Sequence, residues 1–466
     1  MPEPIDVEEL ADEVAKSNFP DARLTRRLRM LVASLAKDPS LSLPVALDSA
    51  GLEAGYRFFS NVNVTPPEIL GGHFASSRER CEKGDFLIAH DSTTFSYRYD
   101  GDREGLGRAQ RSSPRSNQSF HAHVSLAIAA DGTRRPLGVV GFKTWVRGPV
   151  ASGVEYQRWE EQIRAAAAES NGAKRAIHLA DREADDYEMF CSLIGDEHRF
   201  VMRCLSNRLL EDPSGKIKLR EYFAGLEATV QREVPLTRRT QRRTAIMRKI
   251  NPARDARLAT LNVTAATVVL KKPTTRRKQS QGQAPQTLSI NVVRVWEPSP
   301  PEGAEPVEWY LYTTEPIETA EQQLAVVDYY RARWVIEEYF KAIKKGCEFE
   351  KRQLQDYESL INLLATFVPI AYRLLLIRTE AARAPEQSAL AVVSQDELDV
   401  LRTLGRRKLS AAPTAKETYL AIAALGGHIK YGGPPGWLTL ARGFQKLATL
   451  AEGWRAAKLQ LSSDQR

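Results

Sequence analysis

The amino-acid sequence predicts an α/β fold, with a mixed sheet that is interrupted by a β-rich insertion and flanked by helical domains. Three observations predict it. Helical periodicity dominates residues 1–80 and 384–466. Within residues 81–383, short apolar runs that end in polar clusters alternate with helical patterns. At about residues 205–315, strand-like segments are separated by polar loops. Residues 1–80 are the predicted N-terminal domain, residues 81–383 the central domain and residues 384–466 the C-terminal domain. The β-rich insertion is predicted at about residues 205–315, within the central domain.

Charge is the strongest feature of the composition. The 466 residues carry a formal net charge of +8, with a pI near 9.2. The range 232–278 contains 14 Lys and Arg residues but only two acidic residues, a local charge of +12. A run this one-sided favours contact with a phosphate backbone, although it is also compatible with a solvated surface.

Two features argue against secretion and membrane insertion. The first ten residues, MPEPIDVEEL, are acidic and lack the apolar segment of a secretory signal. The apolar run from Leu360 to Ile377 is interrupted by Asn362, Pro369 and Arg373, which favours a buried core helix. We therefore expect a cytoplasmic protein with no membrane partner.

The first helices have the pattern of a small DNA-contacting domain. In the segment DARLTRRLRMLVASLAK, four leucines recur at helical spacing and the opposite side is basic. Residues 1–80 are therefore predicted to be a helical DNA-binding domain.

The central domain begins with a strand buried on both faces, the apolar run from Phe86 to Ala89. Asp91 is predicted at or just past the end of this strand. Two strands joined by a turn at Asp131–Gly132 come next, and then a helix. A further strand runs into a helix with Asp181 at the junction, and a fifth strand follows. This order allows the strands of Asp91 and Asp181 to lie side by side, as the metal-binding carboxylates of ribonuclease H-like folds do.

After the insertion, the segment DYYRARWVIEEYFKAIKKG is predicted to be one amphipathic helix. On a helical wheel one side gathers a single carboxylate, Glu337, with cationic and aromatic residues: Tyr330, Arg333, Trp334, Lys341 and Lys344. A solvated face is the ordinary interpretation of such a stripe. Two aspartates and one glutamate could instead hold two Mg²⁺ ions, which prefer oxygen ligands and can stabilise both the attacking and the leaving oxygen of a phosphodiester.

More specific than the acids are the residues around them. Tyr330, Arg333, Glu337 and Lys344 fit the Y-(2)-R-(3)-E-(6)-K signature of bacterial cut-and-paste DDE transposases of the insertion-sequence-four family. The segments DSTTFSYR and ADREAD resemble the first two acidic motifs of the transposase of transposon five. GYRFFSNVNV, WYLYTTEP and LGG extend the resemblance over nearly the whole chain.

This resemblance implies a role for each matching residue. It makes Asp91, Asp181 and Glu337 the catalytic metal ligands, with two Mg²⁺ ions per site and Mn²⁺ as a substitute. It implies that Trp309 stacks on a base flipped out during hairpin formation, although a core position in a strand is the ordinary alternative. The remaining residues implied to contact DNA are Tyr330, Arg333, Lys344, Lys341, Arg203, Trp334, Arg23 and Arg27.

The implied reaction is cut-and-paste transposition by strand nicking, hairpin formation, hairpin opening and strand transfer. The implied partners are transposon-end inverted repeats, target DNA and a second copy of the chain, which pairs through residues 384–466. The implied setting is the nucleoid of a bacterial cytoplasm. A metal-dependent DNA nuclease of the same fold and a domesticated DNA-binding regulator remain alternatives. His90 and His178 are expected inside strands because Mg²⁺ disfavours imidazole, and Glu183 and Asp185 are expected to support the site rather than bind metal.

Overall fold

The computed structural model describes residues 7–98, 101–108, 116–147, 155–172, 174–212, 217–236, 253–274, 284–429 and 434–463. Much of the predicted phosphate-contacting segment, residues 237–252 and 275–278, lies outside these described residues.

Five helices form the N-terminal region, as predicted: α1 (Val7–Ala15), α2 (Ala22–Lys37), α3 (Leu43–Ala46), α4 (Ser49–Phe59) and α5 (Pro66–Cys81). The Asp21 side chain caps α2 by accepting a hydrogen bond from the Arg23 N–H, which satisfies one of the free donors at the helix start. Leu28, Leu31 and Leu35 are buried along one side of α2, so the leucine periodicity correctly marks the side that packs.

The central region begins with a mixed sheet. Its elements are β1 (Phe86–Tyr97), β2 (Gly107–Arg108), β3 (Gln118–Ala129), β4 (Pro136–Trp145), α6 (Glu155–Glu169), β5 (Ala176–Ala180), α7 (Tyr187–Gly195) and β6 (Arg199–Arg203). β1 is antiparallel to β3 and parallel to β5, and β5 is parallel to β6. The predicted order of three long strands, helix, strand, helix and strand is confirmed, and β1 and β5 are neighbours.

Four further strands extend the same sheet beyond β6. After α8 (Leu219–Ala224), the chain forms β7 (Val230–Leu236), β8 (Arg257–Lys271), β9 (Thr287–Trp296) and β10 (Glu308–Thr313). The sheet order is β2-β3-β1-β5-β6-β10-β9-β8-β7. β4 lies off this path and pairs with β3. β10 returns to pair antiparallel with β6, so the strands between them continue the sheet outward.

The rest of the described chain is helical. Its helices are α9 (Ala320–Ala332), α10 (Val335–Lys341), α11 (Tyr357–Arg383), α12 (Gln395–Leu404), α13 (Ala415–Leu425) and α14 (Trp437–Ser463). Within the described ranges, α11 is the one helix long and apolar enough to cross a membrane, but its apolar stretch is completely buried in the fold. α11 also contacts the N-terminal region, because the Asn362 side chain donates to the backbone carbonyls of Phe59 and Val64.

A buried polar network joins α1 to α5 and β4. The Glu13 carboxylate contacts the His73 ring and accepts a 2.9 Å hydrogen bond from Arg80, and the Val139 N–H donates to the other side of His73. Burial raises the pKa of Glu13, but the contacts with His73 and Arg80 outweigh it and lower that pKa to about 2. Glu13 is therefore a charged contact between the N-terminal helices and the sheet.

Candidate active site

Asp91 and Asp181 lie on neighbouring parallel strands. Ala89 pairs with Leu179, and each aspartate is two residues farther along its strand or just beyond it. Asp181 follows β5 directly and caps the short turn after it by accepting a 2.8 Å hydrogen bond from the Glu183 N–H. The prediction that the two aspartates sit side by side is therefore consistent with the register.

The predicted end of the first strand was wrong. β1 continues to Tyr97, so Asp91 lies in its middle instead of at its end. β1 is longer because β3 pairs with it over all twelve residues, whereas β5 stops at Ala180. The apolar run marks only the part of β1 that is covered on both sides, and the polar remainder is an ordinary strand with β3 as its partner.

Arg333 connects the strand to the Glu337 helix. Its guanidinium donates to the Asp91 carboxylate at 3.1 Å and to the Glu337 carboxylate at 3.0 Å. Arg333 is itself 8% exposed, so its charge is close to fully enclosed by the acids it contacts. The structure thus brings Glu337 to the same side of the sheet as Asp91.

The single amphipathic helix expected from residue 328 to residue 346 is also wrong in detail. α9 ends at Ala332, a turn follows, α10 runs from Val335 to Lys341, and the chain then widens into a π-helical turn at Ala342–Gly346. A wheel drawn at 100° per residue does not hold across these breaks. Tyr330, which the wheel places with the polar residues, is buried at 7% exposure.

The electrostatics at these acids favour a cation. Burial raises the pKa of Asp91 to about 7; Arg333 lowers it, while Asp181 and Glu337 raise it. Burial likewise raises the pKa of Glu337 despite the contact with Arg333. Crowded carboxylates resist full ionisation unless positive charge compensates them. Their hard oxygens are the donors that divalent ions such as Mg²⁺ prefer, so the chemical type of these side chains suits such an ion.

In the part of the chain that the structure describes, no three His, Cys, Asp or Glu side chains are arranged so that they could hold a metal ion. Arg333 supplies the positive charge between Asp91 and Glu337 instead. The carboxylates are therefore brought near one another in an arrangement that is not yet a metal-binding cage.

The signature lysine, Lys344, and the nearby Lys341 both have protein partners. Lys344 donates to the Thr94 carbonyl at 2.5 Å and lies 4.0 Å from the Glu350 carboxylate. Lys341 pairs with Glu338 at 2.6 Å. Lys344 thus faces the second half of β1, whereas Lys341 is exposed and its charge acts to lower the pKa of Glu337.

Trp309 and Trp334 differ in exposure. Trp309, on β10, is half-buried and packs edge to face against Tyr330, with ring centroids 5.8 Å apart. Trp334 lies in the turn between α9 and α10 and is 55% exposed. The Trp334 ring has the Lys341 ammonium 6.0 Å from its centroid, whereas the Trp309 ring has an aromatic neighbour.

Arg203 lies in a small basic cavity of about 220 Å³ at the end of β6, beside the Asp181 turn. Arg182 and Arg220 line the same cavity, together with Glu308 and Tyr310. Arg182 directly follows Asp181 in sequence, so its place near the acids could have been predicted from the sequence. Arg220 enters from α8, and no local sequence pattern indicates its position.

Asp185, predicted as a supporting acid, organises the loop after β6. Its carboxylate accepts 2.7 Å hydrogen bonds from the Leu205 and Ser206 N–H groups and pairs with Arg208 at 2.5 Å. Three partners fully occupy this buried carboxylate, so Asp185 shapes the loop that borders the Arg203 cavity.

Sequence reasoning did not anticipate a layer of buried histidines on the opposite face of β1. His90 Nε2 lies 2.9 Å from His178 Nδ1, and the Ser125 hydroxyl lies 2.9 Å from His90 Nδ1. Burial lowers the pKa of His90 far below its ordinary value and that of His178 to about 3. The expectation that both are strand-interior residues is confirmed, and both are neutral.

Arg23 and Arg27 lie on α2, in the N-terminal region. Arg23 is exposed and pairs with Asp21 at 2.7 Å, while Arg27 is half-buried.

Two family models match the chain. One, described as transposase DNA-binding, matches residues 8–64, which comprise nearly all of α1 and the whole of α2 to α4. The other, described as the transposase DDE domain, matches residues 83–368, which include all ten strands and the three acids.

Proposed function

Because the chain belongs to the DDE transposases and is an enzyme that acts on DNA, we propose that it catalyses cut-and-paste transposition. Water nicks the transposon end, the freed 3′-OH attacks the opposite strand to form a hairpin, a second water opens the hairpin, and the 3′-OH attacks target DNA. Each step is an in-line phosphoryl transfer, so one site can serve all four steps with different nucleophiles.

The observation that carries this proposal is the convergence of the three acids. Asp91 and Asp181 come from adjacent parallel strands, and Arg333 holds Glu337 next to Asp91. DDE transposase domains generally use divalent metal ions. We propose Asp91, Asp181 and Glu337 as ligands for two Mg²⁺ ions, with Mn²⁺ as a substitute. Such ions would activate the attacking oxygen and stabilise the leaving oxygen.

The surrounding residues have proposed roles in holding DNA. Tyr330, Arg333 and Lys344 would bind transposon-end phosphates near the acids, and Lys341 would add positive charge. Arg203, with Arg182 and Arg220, forms a cavity of a size and charge that suits one phosphate group. Trp309 and Trp334 would stack on the flipped base, and Arg23 and Arg27 would contact the transposon end.

The finer family assignment and the domain organisation are proposals as well. The Y-(2)-R-(3)-E-(6)-K spacing supports membership of the insertion-sequence-four family. The strand order supports an insertion at about residues 205–315, because β7 to β9 lie between β6 and β10 in the chain, whereas in the sheet β10 pairs directly with β6 and β9, β8 and β7 lie beyond it. We further propose a homodimer that pairs through residues 384–466 and works on the nucleoid in the cytoplasm.

The decisive experiment replaces Glu337 with Gln, which keeps the shape of the side chain and removes its charge. Glu337→Gln should lose Mg²⁺-dependent nicking of DNA that carries the terminal inverted repeats flanking the gene, but should bind this DNA nearly as well. Glu338→Gln is the matched control, since it removes a neighbouring carboxylate that pairs with Lys341 and is not one of the three proposed metal ligands. Retained nicking by Glu337→Gln would contradict the assignment. Cleavage by the wild type without hairpins or strand transfer would indicate a nuclease.

A further inference from the structure

A second cluster of positive charge lies on the same face of the sheet as the acids. A cavity of about 490 Å³ is lined by four arginines, Arg134, Arg232, Arg331 and Arg383, together with Asp328 and Tyr329. We call it the four-arginine cavity. No residue of the transposase signature contributes a charge to it, and the transposition chemistry proposed above does not use it.

The arginines share a single carboxylate. Asp328 pairs with Arg232 at 2.6 Å and with Arg331 at 3.1 Å, and Arg134 is 3.9 Å away. Arg383, at the end of α11, has no ion-pair partner among the residues that the structure describes. The nearby Glu380 carboxylate contacts Arg135 instead, at 3.3 Å. Four guanidinium groups around one carboxylate leave the cavity with a net charge of +3.

This crowding is costly without a further anion. The pKa of Arg134 is lowered to about 10, chiefly by burial and also by the neighbouring Arg383, Arg331 and Arg232, while Asp328 opposes this shift. Arg134 also has a left-handed backbone, with φ of 56°, in the hairpin between β3 and β4. Such a conformation is uncommon for a residue other than glycine, and it is found most often where the surrounding structure or function requires it.

The cavity is close to the acids. Leu87 lines it, and because side chains alternate along a strand, Leu87 and Asp91 face the same side of β1. Four residues along a strand span about 13 Å, which is near the roughly 12 Å width of the B-DNA major groove. On the helix side, Ala332 lines the cavity and Arg333 follows it directly, in contact with Asp91 and Glu337.

We propose that the four-arginine cavity binds a backbone phosphate of the DNA duplex whose scissile phosphate lies at the three acids. Planar guanidinium groups from four separate elements can bind phosphate oxygens in a bidentate manner, which fixes the register of the duplex without reading its bases. This inference rests on the proposed function in one respect: it takes the three acids to be the site where DNA is cleaved.

Arg383→Gln tests the proposal, because Arg383 is exposed and unpaired and its loss should not unfold the protein. The measurement is binding of the full-length protein to a random-sequence duplex, without divalent metal, between about 50 and 200 mM salt. Loss of one phosphate contact should flatten the log–log salt slope by about 0.9, so that the fall in affinity over this fourfold range is about 3.5-fold smaller. Arg402→Gln, an exposed arginine on α12, is the matched control and should keep the wild-type slope.

Asp328→Asn gives the opposite expectation. It removes the only carboxylate that lines the described cavity, so duplex affinity should rise if phosphate binds there. An unchanged slope for Arg383→Gln, or a fall in affinity for a folded Asp328→Asn, would overturn the proposal. Inorganic pyrophosphate serves as a second probe. Pyrophosphate could raise the melting temperature of the wild type but not of Arg383→Gln, while the two proteins show the same salt slope for DNA binding. In that case the cavity holds a small anion and the proposal is wrong.

These measurements are independent of catalysis. Glu337→Gln should show the wild-type salt slope in the same assay, because it leaves the four-arginine cavity intact. If the protein never cleaves DNA but Arg383→Gln still flattens the slope, the proposed function fails and the phosphate site stands. If cleavage is normal and the slope is unchanged, only the phosphate site fails.

Discussion

Arg333 contacts two of the three acids that are proposed to bind metal, so replacing it should make thermal stability depend on divalent ions. Its guanidinium lies 3.1 Å from Asp91 and 3.0 Å from Glu337, and its side chain is 10% exposed. Arg333→Gln removes the positive charge and leaves both partly buried carboxylates uncompensated. A divalent ion that binds the same carboxylates can replace the missing charge.

The expected magnitude follows from the geometry. At about 3 Å and an effective dielectric constant near 20, each contact contributes roughly 5 kcal/mol of Coulomb attraction before desolvation is subtracted. Breaking a buried pair by removing one partner costs a net 3–5 kcal/mol or so, and the lower value, about 3 kcal/mol, suits these partly exposed acids. For a cooperative unit of roughly 300 residues, this loss lowers the melting temperature by about 5 °C.

The assay compares thermal melting of wild type and Arg333→Gln in EDTA and in MgCl₂. At a Mg²⁺ concentration about 100 times the dissociation constant, binding to the folded state contributes about 2.7 kcal/mol, which restores most of the lost stability. Wild type should gain less, because Mg²⁺ must compete with Arg333 for the carboxylates. Arg331→Gln is the control: it removes a pair with Asp328 at 3.1 Å and should show the same Mg²⁺ increment as wild type.

Two results would refute this reasoning. If Arg333→Gln melts at the wild-type temperature in EDTA, the contacts with Asp91 and Glu337 do not stabilise the fold. If Mg²⁺ stabilises the variant no more than the wild type, the metal does not bind at the carboxylates that Arg333 contacts.

Three further predictions concern hairpin formation, end binding and acid stability. Trp309→Ala should nick DNA normally but form hairpins roughly 5- to 150-fold more slowly, since one stacking contact is worth about 1–3 kcal/mol; equal loss of nicking in a gel assay would identify Trp309 as a core residue. Arg23→Gln and Arg27→Gln should each flatten the salt slope of end binding by about 0.9, and an unchanged slope would exclude a phosphate contact. The pKa of Glu13 falls from 4.5 to about 2 on folding, so the stability that its charge contributes is present above about pH 4.5 and is lost as the pH falls towards about 2. Thermal melts of Glu13→Gln should lack this loss of stability in acid. If the wild type and Glu13→Gln lose stability in acid to the same extent, Glu13 is not the cause.

Most of the elements could be predicted from the sequence, because each is encoded locally. Apolar runs gave the positions of β1 and β5, and leucine spacing gave the buried side of α2. The length of β1 could not be predicted, because its polar half is a strand only where β3 pairs with it. The break between α9 and α10 was also hidden, since no proline or glycine marks Arg333 and Trp334.

The candidate site divides in the same way. The resemblance to the DDE transposases points to Asp91, Asp181 and Glu337 as the metal-binding acids, because the two acidic motifs and the signature each place one acid in the chain. Which groups surround them depends on residues far apart in sequence. Arg333 meets Asp91 across 242 positions, and the four-arginine cavity joins a hairpin, β7 and two helices. Composition and spacing therefore determined the chemistry, while only the tertiary structure decided where the compensating charges lie, because Coulomb interactions depend on distance in space and not on distance along the chain.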